Sequence, residues 1–200
     1  MIRTIVFDLG KVLLDFNIRL ISERLARYCR STPDEIHRMI FMSPLEKQID
    51  QGAIDPHDFF DVLKERLSLR MKYEDFVPVW CDIFTEIPGM KGLIDRLAGN
   101  YPLALLSNTN QLHFDYILNQ YPFVRNFDHS FLSFRLKESK PSPAIYRAVI
   151  DGTGLSPRDL FYFDDIAEYV NGARHAGIPA VRFESAAQAA RRLGEGGICL

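Results

Sequence analysis

Four short apolar runs, each with polar residues nearby, constrain the fold of this chain more than any other feature. The first, Thr4–Phe7, is β-branched and apolar without alternation, which is typical of a strand buried on both faces of a parallel sheet. Residues 103–106, 160–163 and 180–183 show the same pattern. Stretches with helical spacing lie between them, and Ser-Pro pairs at 142–143 and 156–157 predict helix starts. Strands that alternate with helices predict an α/β fold with a doubly wound parallel sheet.

The segment 15–87 has a different pattern. Strand-like runs are missing there, and apolar residues recur at helical intervals, as at Phe59, Leu63 and Leu67. The sequence Thr-Pro-Asp-Glu at 32–35 predicts a capping box with proline at the first helical position. We therefore expect residues 15–87 to form a small helical domain inserted between residues 1–14 and 88–200 of one α/β core.

The composition argues against several classes of partner. Lysine and arginine number 24 against 26 for aspartate and glutamate, a net charge of -2, so we expect no nucleic-acid partner. No apolar stretch approaches the roughly 18 residues that cross a bilayer, and no basic leader precedes an apolar run. Cys29, Cys81 and Cys199 are widely spaced, which predicts reduced thiols. We expect a cytoplasmic protein without membrane association, monomeric or homodimeric.

Polar residues near the carboxyl ends of the apolar runs form the candidate site. In chain order they are Asp8, then Ser107, Asn108 and Thr109, then the region near Lys140, then Asp164 and Asp165. Ligands of doubly wound sheets bind at the carboxyl ends of strands, so these side chains are expected to converge. Three carboxylates in one crevice repel one another unless a cation lies among them, and all-oxygen ligation suits Mg²⁺. With Lys140 and Ser107 as donors to a dianionic phosphoryl group, the set predicts phosphoryl transfer.

Four motifs at these positions resemble a known family. The stretches FDLGKV, LLSNTN, SKPSPAIY and FYFDDIAEYVNGARHAGIPAV are similar, in order and approximate spacing, to the motifs of the haloacid dehalogenase (HAD) superfamily of hydrolases. The resemblance spans the chain and implies a Rossmann-like core with an α-helical cap after the first strand. Within the superfamily, DLGKV, SNTNQLH and FDDI are most similar to the group of α-D-glucose-1-phosphate phosphatase and the phosphatase domain of soluble epoxide hydrolase.

The resemblance also implies roles for the site residues. Asp8 becomes the nucleophile that forms an aspartyl-phosphate, a role that carboxylates fill. Lys140 and Mg²⁺ neutralise the incoming phosphate, and Ser107 with the amide of Asn108 binds its oxygens. Asp165 is the expected direct metal ligand, Asp164 acts through water, and the Gly10 carbonyl completes the protein ligands beside Asp8. The expected substrate is a small soluble phosphomonoester, with sugar phosphates preferred.

Two positions depart from the family pattern. Gly10 stands where most phosphatases of the superfamily carry a second aspartate, which protonates the leaving group and then activates water; Lys11 follows where glycine is usual. A positioned acid-base group is worth typically 10²- to 10⁴-fold, so its absence is a specific deficit. The second departure is Tyr169, which stands where the family usually has an asparagine that orders the metal loop.

Two responses to the missing acid remain open. Either the substrates have good leaving groups that need little protonation, or another residue donates the proton to the leaving group. Four candidates exist for that donor: Asp15, His37, His57 and His113. Irregular sequence at 41–55 is expected to face the site, where Glu46 and Lys47 are candidates for substrate contact.

Two other functions compete with a Mg²⁺-dependent phosphatase. One is a metal-independent 2-haloacid dehalogenase, which uses the same nucleophilic aspartate on a carbon-halogen bond; the acidic pair at 164–165 with Lys140 argues against it. The other is a catalytically weak binding or regulatory domain of the HAD fold, which Gly10 and Tyr169 favour.

Overall fold

The computed structural model describes residues 2–199, and within that range the central element is a parallel sheet. The strands are, in chain order, β1 (Thr4–Phe7), β2 (Leu14–Phe16), β3 (Phe84–Glu86), β4 (Leu103–Ser107), β5 (His129–Leu132), β6 (Leu160–Asp164) and β7 (Ala180–Arg182). Five of them form the sheet in the order β5-β4-β1-β6-β7, and every adjacent pair is parallel. The prediction of a doubly wound parallel sheet is confirmed.

Helices cover both faces of the sheet and build the inserted segment. They are α1 (Arg19–Leu25), α2 (Pro33–Phe41), α3 (Pro44–Asp50), α4 (Pro56–Leu67), α5 (Tyr73–Cys81), α6 (Met90–Leu97), α7 (Gln111–Gln120), α8 (Ser133–Leu136), α9 (Pro143–Thr153), α10 (Ala167–His175) and α11 (Ala186–Glu195). Short 3-10 turns lie at Ala26–Tyr28, Pro122–Asn126 and Pro157–Asp159. No helix in the described range is long and apolar enough to cross a membrane.

The sheet separates two apolar layers. Ile5, Phe7 and Leu105 lie in the layer beneath α6, α7 and α11, whereas Val6 and Tyr162 lie in the layer beneath α9 and α10. Neighbouring residues of β1 therefore point to opposite faces and are buried on both. This two-sided burial is why the strand has no polar alternation.

The helices of the insertion pack around a core of their own. Phe59, Phe76 and Trp80 are fully or almost fully buried in it and lie within aromatic contact of one another. Strands β2 and β3 pair antiparallel, Asp15 opposite Thr85, so the chain enters and leaves this helical cap through two adjacent segments. The domain limits at 14/15 and 87/88 stay a prediction.

The local expectations hold at most positions and fail at three. Thr32 and Glu35 form the expected capping box of α2, and Ser142 accepts from the Ala144 amide at 3.4 Å to cap α9. Ser156 caps no α-helix, because only a three-residue 3-10 turn without a side-chain cap follows it. The strand at 129–132 was not predicted, since it begins with the polar pair His-Ser. The short strands β2 and β3 lie where only helices were expected.

Candidate active site

The order of the strands brings the first group of predicted residues together. β1 lies between β4 and β6, so Asp8, Ser107 and Asp164 reach the same carboxyl edge of the sheet. The register continues past the end of β1, because the Asp8 amide donates to the Phe163 carbonyl at 2.9 Å. All three side chains are buried. Parallel strands therefore place two carboxylates and a hydroxyl in one crevice.

Lys140 enters the crevice from a loop. Its expected place near a strand end is wrong, because β5 ends at Leu132 and α8 intervenes. Asn108 holds the loop by accepting from the Lys140 amide at 2.8 Å and donating to the Lys140 carbonyl at 3.0 Å. The Lys140 side chain is buried and its Nζ lies 2.9 Å from Asp8 Oδ2 and 2.7 Å from Asp164 Oδ2. One ammonium group thus bridges two carboxylates.

Burial and mutual charge set the protonation of this network. Burial raises the pKa of Asp8 to about 7, against the opposing attraction of Lys140. Burial also works against the charge of Lys140, but Asp8 and Asp164 together hold the pKa of its ammonium group above the ordinary value. The positive charge is therefore retained, because two carboxylates face it at hydrogen-bond distance.

Asp8, Asp164 and Asp165 offer carboxylate oxygens that all lie within 4.8 Å of one another. This donor set fits a hard divalent cation such as Mg²⁺, which binds carboxylates and keeps part of its water shell. The adjacent residues Asp164 and Asp165 differ in their hydrogen bonds. Asp164 accepts from Lys140, from Tyr162 Oη and, at 2.8 Å, from the Ile166 amide. Asp165 is only partly buried, and within residues 2–199 its carboxylate takes no hydrogen bond from another residue.

Gly10 lies beside the hinge, which is formed by β2 and β3, the two strands through which the chain enters and leaves the cap. A side chain at Gly10 would displace the ring of Phe16. A Cβ built there would stand 2.8 Å from Phe16 Cε1, a distance that real Cβ atoms essentially never show. Lys11 has a φ of 57° and binds Asp15, and its Nζ donates to the Phe16 carbonyl at 3.1 Å. Lys11 therefore stabilises the hinge through these contacts, and its side chain is exposed to solvent.

Tyr169 covers the ammonium group of Lys140. Lys140 Nζ lies 4.9 Å from the centre of its ring, within the range of a cation-π contact. Its hydroxyl is 3.5 Å from Asn108 Nδ2, and its carbonyl accepts from Tyr146 Oη at 2.9 Å. Asn171, two residues on, is exposed and does not take the place of the missing asparagine.

The four candidates for a proton donor lie in four different settings. Asp15 is exposed, and its hydrogen bond from Lys11 lowers the pKa of its carboxyl. His57 is exposed and stacks on Tyr73 at 3.8 Å. His37 stacks on Phe41 at 5.1 Å and is not among the residues that line the cleft between cap and core.

His113 does line that cleft but is fixed in a neutral form. Its Nε2 lies 3.2 Å from the Trp80 carbonyl, which can only accept, so Nε2 carries the proton. Its Nδ1 accepts from Asn110 Nδ2 at 3.1 Å. Burial lowers the pKa of His113 to about 4. The imidazole therefore has no proton to spare and joins the cap to the core.

The cleft also contains residues that were not predicted to lie at the site. It holds a cavity of about 120 Å³ that is partly open to solvent. Trp80 and Asp50 come to it from the cap, and Asn110 comes to it from the start of α7. Asn110 Nδ2 donates to Asp50 Oδ1 at 3.0 Å. Only the helix-capping pattern of Asn110 was visible in the sequence.

The comparisons with known proteins agree with this geometry. The model of the haloacid dehalogenase-like hydrolases matches residues 2–177, so the chain belongs to that family. It is 22% identical over 196 residues to a D-ribitol-5-phosphate phosphatase of Bacteroides thetaiotaomicron, covering 94% of each chain. It is 24% identical to a phosphorylated carbohydrates phosphatase of Thermotoga maritima, covering 88% of this chain and 82% of that one.

A solved structure gives the same result. A HAD family enzyme of Bacteroides thetaiotaomicron, in complex with magnesium and inorganic phosphate, superposes with a TM-score of 0.82 at 25% identity, covering 92% of this chain and 96% of that one. The protein is a HAD-like hydrolase, and the resemblance to the superfamily is confirmed. The likeness to the glucose-1-phosphatase group within it stays a prediction.

Proposed function

We propose that the protein is a Mg²⁺-dependent phosphatase that hydrolyses a small phosphomonoester, preferably a sugar or polyol phosphate, through an aspartyl-phosphate on Asp8. The observation that carries the proposal is the network of Asp8, Lys140 and Asp164 beside Asp165, a charge arrangement suited to a metal and a phosphate. The named activities of the two relatives, both phosphatases of carbohydrate-like phosphates, support the choice of substrate.

Each residue has a definite task in this reaction. Asp8 attacks phosphorus with one carboxylate oxygen while the ester oxygen leaves, and water later breaks the Asp8-phosphate bond. Lys140 neutralises charge on the phosphoryl oxygens, and Ser107 and the Asn108 amide donate to them. Asp8, Asp164, Asp165 and the Gly10 carbonyl would hold Mg²⁺. The ion would supply charge neutralisation, without which an anionic nucleophile scarcely approaches a phosphate.

Hydrogen bonds within the site support different roles for Asp164 and Asp165 in metal binding. Both oxygens of Asp164 already accept from protein groups, which suits a role that reaches the metal through water. The carboxylate of Asp165 is less engaged, which suits direct ligation.

A panel of phosphate esters tests the proposal. The metal-free chain is assayed for inorganic phosphate release with D-ribitol 5-phosphate, glucose 1-phosphate and p-nitrophenyl phosphate, with and without Mg²⁺. We expect Mg²⁺-dependent turnover that Asp8→Asn abolishes. Release of chloride from 2-chloropropionate without metal would instead establish a dehalogenase. No turnover of any ester with Mg²⁺ would leave the weak binding domain as the function.

A further inference from the structure

A side chain at position 10 would require the ring of Phe16 to move, because Phe16 Cε1 lies 2.8 Å from the ideal Cβ position. The leaving group of a phosphomonoester still needs a proton unless it departs as a stable anion. A donor must therefore reach the ester oxygen from elsewhere in the cleft.

Two carboxyl groups of the cap line the same cleft as Gly10 and Ser107. They are Glu46 and Asp50, one turn apart on α3, and both are partly buried. Their neighbours on the cleft wall are mostly apolar, including Phe41 and Ile83. Acids in such surroundings bind a proton more readily than acids in water.

Hydrogen bonds distinguish the two acids. Asp50 Oδ1 accepts from Asn110 Nδ2 at 3.0 Å, and its carbonyl accepts from Ser133 Oγ at 2.6 Å, so Asp50 is tied to the core. The carboxyl of Glu46 takes no hydrogen bond or ion pair from residues 2–199. Burial, followed by the negative charge of Asp50, raises the pKa of Glu46 to about 7. A group of this kind serves both as an acid and as a base near neutral pH.

A second polar group at the cleft wall is also without a partner. Trp80 lines the cleft, is 1% exposed, and its Nε1 has no hydrogen-bond partner among the described residues. Buried indole N–H groups usually find an acceptor.

We propose that Glu46 is the catalytic acid-base residue that replaces the side chain missing at Gly10. The inference rests on the proposed phosphatase activity. As Asp8 bonds to phosphorus and the phosphorus-ester oxygen bond breaks, the departing oxygen takes the proton of Glu46 and leaves as an alcohol. The Glu46 carboxylate then takes a proton from the water that attacks the aspartyl-phosphate. The Asp8-phosphate bond breaks, inorganic phosphate is released, and protonated Glu46 is restored.

The test compares two esters that differ in their need for a proton. D-Ribitol 5-phosphate releases a weakly acidic alcohol, whereas p-nitrophenyl phosphate releases a stable anion. The parameter is kcat/KM, which reports the steps up to transfer of the phosphoryl group and is not affected by the later hydrolysis. For Glu46→Gln we expect kcat/KM to fall on the order of 10²- to 10⁴-fold with ribitol 5-phosphate and less than about tenfold with the aryl ester.

Matched variants separate this role from a general effect of charge or packing. Glu65→Gln removes an exposed cap carboxylate on α4 and should change neither value. Glu46→Asp should recover part of the lost rate. Equal losses on both esters for Glu46→Gln, or a difference between esters that follows Asp50→Asn instead, would overturn the assignment of Glu46. Failure of the unsubstituted enzyme on both esters with Mg²⁺ would instead overturn the phosphatase, and this inference with it.

Discussion

The buried crevice of the core and the cap side of the cleft satisfy their polar groups differently. On the core face, defined by Asp8, Lys140 and Asp164, each charge lies within 3 Å of an opposite charge. On the cap face, defined by Glu46, Asp50 and Trp80, one carboxyl and one indole N–H lack a partner among residues 2–199. The core face is arranged before substrate arrives, as phosphoryl transfer requires. On the cap face the carboxyl of Glu46 lines the cleft without a partner, so a leaving group can engage it.

The largest expected effect comes from the centre of the core face. Asp8→Asn keeps the shape of the side chain but removes the nucleophilic carboxylate. We expect phosphatase activity to fall on the order of 10⁴-fold or more with every ester, because no substrate can avoid this residue. Rates and the trapping of a phosphorylated protein by acid quench measure the effect. Retention of more than about a tenth of the activity would contradict the role of Asp8.

The second prediction tests whether the core face depends on one cation. Lys140→Met leaves two buried carboxylates without their shared partner, which should lower the free energy of unfolding by about 3 to 5 kcal/mol. Lys91→Met is the control, because Lys91 pairs with Asp95 at an exposed site and such pairs contribute about 1 kcal/mol or less. Urea unfolding without metal compares them.

Removing one of the two carboxylates as well tests whether the loss of stability comes from unpaired charge. Lys140→Met combined with Asp164→Asn should recover part of the lost stability, because one buried charge then disappears along with its partner. A double variant less stable than Lys140→Met would show that Asp164 stabilises the fold by hydrogen bonds to Tyr162 and Ile166 rather than by charge.

The third prediction concerns the contact between the two faces. The pKa of His113 is lowered by burial to about 4, so the folded protein resists its protonation. The contribution of neutral His113 to the free energy of unfolding is fully present above pH 6.5, the ordinary pKa of histidine. This contribution is lost as the pH falls toward 4. Between pH 7 and pH 5 the loss should be about 2 kcal/mol. His113→Gln keeps a donor and an acceptor but does not titrate, so this variant should not show the loss of stability.

An exposed histidine provides the control for this pH effect. His57→Gln, on the outer surface of α4, should follow the pH dependence of the unsubstituted protein. Unfolding by urea at the two pH values measures the difference. An unchanged pH dependence in His113→Gln would mean that the bond between His113 and the Trp80 carbonyl opens readily.

The core face was largely predictable from the sequence, and the cap face was not. Asp8 and Asp164 follow strands whose buried pattern is visible in the sequence, and parallel strands bring their ends to one edge. Lys140 was predicted at a strand end but lies on a loop that Asn108 positions. The meeting of Trp80 with His113 depends on how a helical cap docks, which hydrophobic periodicity does not encode.

Gly10 shows the same limit at a single position. The missing acid was visible in the sequence, but its cause was not, because Phe16 approaches Gly10 only through the bend into β2. The sequence alone left two explanations open: undemanding substrates or another donor. The position of Glu46 on the cleft wall favours the second, because a carboxyl without a partner lines the same cleft as Gly10.

The last prediction tests the contact between Gly10 and Phe16 directly. Gly10→Asp should lower the free energy of unfolding by about 1 to 3 kcal/mol, the usual cost of overpacking, and should not raise the rate with ribitol 5-phosphate. Gly10→Ala should cost nearly as much, because the Cβ itself meets Phe16 Cε1. Gly92→Asp is the control, since nothing lies within 4 Å of a Cβ on that exposed face of α6. Only when Phe16→Ala is added should Gly10→Asp regain stability. If Gly10→Asp alone were stable and faster with ribitol 5-phosphate, the hinge would be able to admit the usual acid, and the case for a donor from the cap face would lose its steric basis.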